Sequence, residues 1–428
     1  MFDIVRFVNW RLAFSCWLMA IGQPLSADAQ SLTLGHCLEA ARQHYPLAKQ
    51  RALLEKTREY SIENARKGIL PQFAIGGQAS YQSAVTQVPI SLPGIAIPSQ
   101  ERDQYKLYGD VYQSVTDVFT LKDQHEYIRA NAEIETQKVK VELYKLKERV
   151  HKLYFGILLI DAQIGQAELL KNDIRNGIAR TEVAIGNGVA LKSTADNLRA
   201  ELLKAEQRTI ELKAARTGYA DMLSLFIGRQ IDESTTLEKP HPPAFANAIN
   251  RPELRLFDLQ KTAFERHKKL VRNKNLPRFG VFVQGGYGRP GLNMLHPHFE
   301  GYYIAGLRMN WNLSGFYTLK NERKMLVINQ NAVDVQRETF LFDTDLALKR
   351  QHADIGRILK LIETDKNIVS LRESVKTSTQ NQLLHGTATT NDYLLAVSAE
   401  DLARQNLLLH EIALLMEQYG RQLTVNGE

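Results

Sequence analysis

Apolar residues at Val139, Leu143, Leu146, Val150, Leu153, Ile157, Ile160 and Ile164 alternate steps of four and three without a miss. Such spacing is a coiled-coil seam, because one helix face returns about every 3.5 residues. One core-facing helix of a compact bundle gives a similar stripe, usually over fewer turns. A second seam runs through Leu198, Leu202, Ala205, polar Thr209 and Leu212, and a third through Leu408, Ile412, Leu415 and Tyr419. No proline falls between Pro98 and Pro240, or after Pro297. An interior proline costs a helix about 3 kcal/mol, so both stretches are free to run as long helices.

Between the helical stretches the period changes to two, the mark of a strand. Phe73, Ile75, Gly77, Ala79 and Tyr81 alternate with Gln72, Ala74, Gly76, Gln78 and Ser80, and Tyr105, Leu107, Gly109 and Val111 with Lys106, Tyr108 and Asp110. The second half repeats the pattern at Phe279 to Tyr287 and Tyr303 to Leu313. KGILPQFAIGGQASYQ (68–83) returns as NKNLPRFGVFVQGGYG (273–288). Pro46 to Pro71 and Pro252 to Pro277 both span 25 residues, and Thr120 to Gly188 and Thr318 to Gly386 both span 68. The strand-and-loop part alone drifts, 49 residues against 41. A repeat that fixes helix length and relaxes loops describes rods packed along a common axis. A helix of nearly 68 residues is about 100 Å long.

The chain therefore divides into a leader (1–29) and two repeats, 30–250 and 251–428. The first is expected to hold a short helix, strands near 72–82 and 105–116, a long helix near 120–187, a helix near 192–227 and a linker over 228–250. The second is expected to hold a helix near 251–275, strands near 278–288 and 302–313, a long helix near 318–385 and a helix near 391–420. Four strands are too few for a closed barrel, which takes about eight, and an open sheet leaves two raw edges. Oligomerisation is the natural remedy. The strands have the length of tilted membrane-spanning strands, and no segment after the leader reads as a spanning helix, its apolar runs being short pieces such as GILLI. Tyr81, Tyr105, Tyr287, Tyr303 and Trp311 fall at strand ends, where aromatic girdles sit in outer-membrane barrels, though a water-soluble sandwich also enriches strand aromatics.

Composition changes this picture little. Of 428 residues, 54 Lys and Arg against 47 Asp and Glu leave a formal +7, but both signs are interspersed along helical stretches, as on a solvated surface; no nucleic-acid partner is expected. Arg6 and Arg11 precede the apolar run LAFSCWLMAIG, and Ala27, Asp28, Ala29 form a small-residue cleavage pattern, so a secretory signal cut after Ala29 is expected. Its removal leaves one cysteine, Cys37, which excludes an internal disulfide.

The chain resembles the TolC-like outer-membrane efflux proteins over essentially its whole mature length. The resemblance rests on SLTLGHCLEAARQHYPLAKQ, the paired LP-then-strand phrases, WNLSG at Trp311 to Gly315, the tip phrases GVALKSTADNLRAEL and GTATTNDYLLAVSAEDL, and FIGRQI at Phe226 to Ile231, in that order. It implies an α+β membrane protein in which long antiparallel helical hairpins form a periplasmic tunnel and each protomer of a homotrimer gives four strands to a twelve-stranded barrel in outer-membrane lipid. It also implies passive conduction as the exit duct of a tripartite efflux system, with a periplasmic adaptor seated at the tip turns around Gly188, Asp196 and Gly386 and an inner-membrane pump beyond it. Asp392 matches the first acidic position of the family's periplasmic aperture, and Leu395 stands at the second. Either Asp392 lines a carboxylate ring or it caps the helix after Gly386. The first repeat lacks the glycine-rich turn after its second strand, having VTDVFTLKDQ, and the first tip is two residues longer, Gly188 to Asp196 against Gly386 to Asp392.

No other chemistry is expected. VQGGYGRPG lacks the Lys-Ser/Thr of a phosphate cradle, His296 and His298 have no cysteine or paired carboxylate beside them, and neither a nucleophile elbow nor HExxH occurs, so the expectation is no enzyme, no cofactor and no metal. The alternatives are the outer-membrane component of a type I protein secretion system, of the same fold, and a non-transporting periplasmic coiled-coil adaptor or structural protein. An adaptor has one helical hairpin per chain, and a fibre has no need of alternating strands.

Overall fold

The computed structural model describes residues 31–86, 100–244 and 248–426. The expected leader and its cleavage after Ala29 lie outside the described residues. The chain opens with α1 (Leu34–His44), a short 3-10 turn (Pro46–Lys49) and α2 (Gln50–Lys67), and enters the strands β1 (Gln72–Tyr81) and β2 (Asp103–Ser114). Then come the rods α3 (Thr116–Gly186) and α4 (Lys192–Ile227). The same order returns as α5 (Pro252–Lys274), β3 (Arg278–Arg289), β4 (Glu300–Asn310), α6 (Gly315–Leu384) and α7 (Thr390–Val425). α3 has 71 residues and α6 has 70. The rods begin earlier than the sequence suggests, at Thr116 and Gly315, because β2 and β4 stop at Ser114 and Asn310; Trp311 and Leu313 therefore follow the strand instead of ending it. α7 also runs on to Val425, since no proline follows Tyr419 and Gly420 weakens the helix without stopping it.

Local chemistry sets the boundaries. The Thr33 hydroxyl accepts the amide of His36 and caps α1, and Pro252 opens α5, where a missing N–H costs nothing. α4 stops at Gly228, whose φ of 69° suits the left-handed cap.

The main core is a belt around the rods. Leu34, Cys37 and Ala41 of α1, Val150, Tyr154, Phe155 and Ile157 of α3, and Leu223 and Ile227 of α4 pack with Ile412 and Leu415 of α7. The Tyr154 hydroxyl lies 2.8 Å from the Leu32 carbonyl and 2.6 Å from that of Glu238, pinning the start of the described chain and the mid-chain linker to one point. Leu32 and Leu237 form a parallel bridge, and Asn250 and Asn426 another. Burial pushes the Cys37 thiol up to about 12. One window of α3 is, by length and composition, apolar enough to cross a membrane, which corrects the expectation of none. This belt accounts for apolar residues of α3: Val150, Tyr154, Phe155 and Ile157 are spent on α1, α4 and α7.

Candidate conduit wall and tip turns

The strands form one antiparallel sheet in the order β1-β2-β3-β4, with β1 and β4 as its edges. Register fixes what each face carries. Phe73 opposes Val111, Val111 opposes Val283, and Val283 opposes Ala305, so the odd-numbered residues of all four strands share one face. That face holds Phe73, Ile75, Leu107, Val281, Tyr303, Leu307 and Met309, all exposed, Ile75 at 87% and Leu307 at 85%. The even face carries Gln78, Lys106, Asp110, Gln284 and Arg308 among aromatics and glycines. A sheet with one bare apolar face and one polar face is built for lipid on one side and water on the other.

The five aromatics singled out in the sequence divide between the two ends of the sheet. Tyr81, Tyr105 and Tyr287 stand at the loop end, with Tyr303 three residues into β4. There Phe299 stacks on Tyr105 and Tyr287, and the Arg289 guanidinium lies over the Tyr105 and Phe299 rings while pairing with Asp103. Trp311 stands at the helix end, its indole N–H donating to the Asn275 carbonyl at 3.2 Å.

The strand-to-helix turns differ between the halves. After β4, four residues lead into α6, and Gly315 passes so close to Asn275 that a Cβ would lie 2.0 Å from its Oδ1. After β2 a single residue, Val115, intervenes. Two hydroxyls replace the glycine: Ser114 Oγ accepts the Asp117 amide, while Thr116 Oγ1 accepts the Phe279 amide at 2.9 Å and donates to the Pro277 carbonyl at 3.1 Å. The phrase VTDVFTLKDQ thus makes its turn by tying α3 to the neighbouring strand.

At the far end, Gly188 and Gly386 have φ of 73° and 71° and close their helices in the same way. The amides of Gly188 and Val189 donate to Ile185 and Ala184, and those of Gly386 and Thr387 to Leu383 and Gln382, a Schellman pair in each case. The helices that follow start differently. Asp196 pairs with Arg199, which also reaches Glu182 on α3 at 2.7 Å. Asp392 is locked into a capping box: its carboxylate accepts the Thr389 amide at 2.9 Å and hydroxyl at 2.6 Å, and its own amide donates to Thr389 Oγ1. The Thr389 hydroxyl, and then its amide, hold the Asp392 carboxyl below the ordinary aspartate range.

Above the tips the hairpins meet through charge, which helical periodicity gave no sign of. Lys376 of α6 reaches Asp173 of α3 at 2.9 Å and Glu400 of α7 at 2.6 Å, and Arg404 adds a second bond to Glu400. Burial pushes Glu400 upward, but the bonds from Lys376 and Arg404 outweigh it and hold the carboxyl low. Next to it, burial raises Asp401, which accepts from Gln166 of α3 at 3.1 Å. His296 pairs with Glu300 at 2.8 Å, and no group of three metal-ligating side chains occurs among the described residues.

Solved structures share this fold over most of the chain. The outer membrane protein VceC from Vibrio cholerae superposes with a TM-score of 0.64 at 14% identity, over 92% of this chain and 97% of its own. This is the outer-membrane channel fold. CusC, described with its transmembrane channel formation, matches at a TM-score of 0.68 and 14% identity, over 92% of both chains. The open MtrE outer membrane channel of Neisseria gonorrhoeae matches at 0.65 and 15%, over 92% of this chain and 88% of its own. No family model and no curated relative matches the sequence. The channel fold is what the TolC-like resemblance implied, reached here by backbone geometry at an identity too low to carry residue roles across.

Proposed function

We propose that this protein is the outer-membrane exit duct of a tripartite efflux system, conducting small molecules passively outward. The observation that carries the reading is the four-stranded sheet, with two unpaired edges and an uncovered apolar face. Three copies closing edge to edge give twelve strands, remove every raw edge and turn the apolar face to lipid. The tyrosines at the loop end and Trp311 at the helix end then mark the two membrane interfaces.

The rods support the same assembly. Met325, Ile328, Val335, Phe342 and Leu346 of α6 are exposed at steps of three, seven, seven and four, a seam with no partner among the described residues. Leu53 and Tyr60 on α2, and Leu203 and Ile210 on α4, are exposed seven residues apart and offer matching seams. In a homotrimer they meet those of a neighbour, and the two repeats, 30–250 and 251–428, form the tunnel wall together. Asp392 lines the narrowed periplasmic end as well as capping α7. The grooves at Gly188, Asp196 and Gly386 receive a periplasmic adaptor, which links the duct to an inner-membrane pump.

Outer-membrane fractions are expected to yield detergent-stable, heat-modifiable trimers; purification as a soluble periplasmic monomer overturns the reading. Asp392→Asn is expected to lower cation selectivity in planar bilayers, and unchanged selectivity removes Asp392 from the aperture.

A further inference from the structure

The even face of the sheet shows a pattern that neither girdles nor hairpins require. Tyr108, Tyr112, Phe282 and Tyr302 all project from it, and all are half-buried. Their shelter is glycine. Tyr108 lies opposite Gly76 in the register, and a Cβ at Gly76 would sit 2.6 Å from Tyr108 Cζ. Tyr302 lies opposite Gly286 with 2.7 Å to its Cζ, and Phe282 opposite Gly306 with 3.2 Å to its Cε1. Tyr112 covers Gly280 diagonally, at 2.5 Å. Each ring therefore lies across a neighbouring glycine, the arrangement by which an aromatic shelters a strand glycine. Arg308 lies over the Phe282 ring at 4.3 Å, adding a second layer to that seat.

We infer that these glycines set the bore of the barrel section: by seating the rings flat, they line its water-filled wall with ring faces and fix the largest solute that enters it from outside. The inference rests on the exit-duct reading, which makes the even face the inner wall. Any side chain at Gly76 or Gly280 occupies its ring's seat, and the ring must swing off the wall into the lumen. At both positions the nearest atoms belong to the ring alone, so the backbone need not shift.

The test uses a thiol reporter. Cys37, the one free cysteine among the described residues, is fully buried with its thiol pushed up to about 12, so it stays silent. Asn310→Cys places a thiol on the even face at the helix end, and intact cells are treated from outside with maleimide-polyethylene glycols of graded mass. The size cut-off for labelling is expected to fall by at least one step of the series in Gly76→Ala and in Gly280→Ala. Adding Tyr108→Ala to Gly76→Ala restores it or raises it above the starting value. An unchanged cut-off in heat-modifiable Gly76→Ala trimers overturns the inference, as does a fall that persists without Tyr108. Should Gly76→Ala fail to assemble, Tyr108→Ala alone decides: a raised cut-off supports the seat and an unchanged one overturns it. If the smallest reagent misses Asn310→Cys while reaching Leu307→Cys on the odd face, the exit-duct reading itself is wrong.

Discussion

α3 and α6 are rods of nearly equal length, yet 19 residues of α3 are buried against 9 of α6. α3 is sealed by its own chain: α1, α4, α5 and α7 all lie on it. α6 is packed mainly by α5 and α7, with Lys376 reaching Asp173 of α3, and it leaves the seam from Met325 to Leu346 bare. Each apolar side chain moved from water into a packed interface contributes about 1.5–3 kcal/mol, so five in register amount to a strong association surface. The lesson is that similar rods can serve unlike ends: α3 holds the chain's own elements together, and α6 keeps a face free for the neighbour that the exit-duct reading supplies.

Breaking that contrast outright is the task of Ile328→Glu with Val335→Glu. Helix content is expected to survive, because both residues are exposed in the single chain, while trimers vanish on native gels. Intact trimers would show that α6 is not the joining rod. A smaller effect tests the sealed rod. His151 lies buried between Phe155 and Tyr419 with its Nδ1 unbonded, and burial, with Lys147, lowers it to about 4. The unfolded chain takes up this proton near pH 6.5 and the folded one only near 4. Stability from this group is therefore complete above about 6.5 and lost as pH falls toward 4, by roughly 3 kcal/mol in all. Denaturant melts of His151→Gln at the two pH values should show a correspondingly flatter dependence. The smallest effect falls where the rods touch. Lys376→Met removes one of two bonds to buried Glu400 and is expected to cost about 1.5–3 kcal/mol in thermal or denaturant melts, with trimers retained. A neutral outcome would mean that Arg404 alone satisfies Glu400.

Much of this was legible before any coordinates. The seam from Val139 to Ile164 lies buried or half-buried along α3, because periodicity reports a face whatever that face meets. Strand alternation likewise separated Phe73, Ile75 and Leu107 from Gln72, Gln78 and Lys106, and the register places the two sets on opposite faces. What stayed hidden depends on partners distant in sequence. Nothing near Tyr154 announces that its hydroxyl meets Leu32 and Glu238, or near Lys376 that Asp173 lies 203 residues away. The glycine seats were hidden for the same reason: Gly76 and Tyr108 meet only once β1 and β2 are in register. For Asp392 the sequence left cap and aperture open; the capping box is now visible, and it leaves room for both roles since one carboxylate can hold a helix start and face a pore.

The Tyr154 bolt also dictates an order of events. The Leu32 amide donates to the Thr236 carbonyl, some two hundred residues downstream, so the head of the chain cannot fasten until more than half of the polypeptide has been delivered. Contacts that span so much sequence form late because the intervening loop must first be closed. A protein threaded head first would travel with its belt unbuckled, and the clasp would shut last.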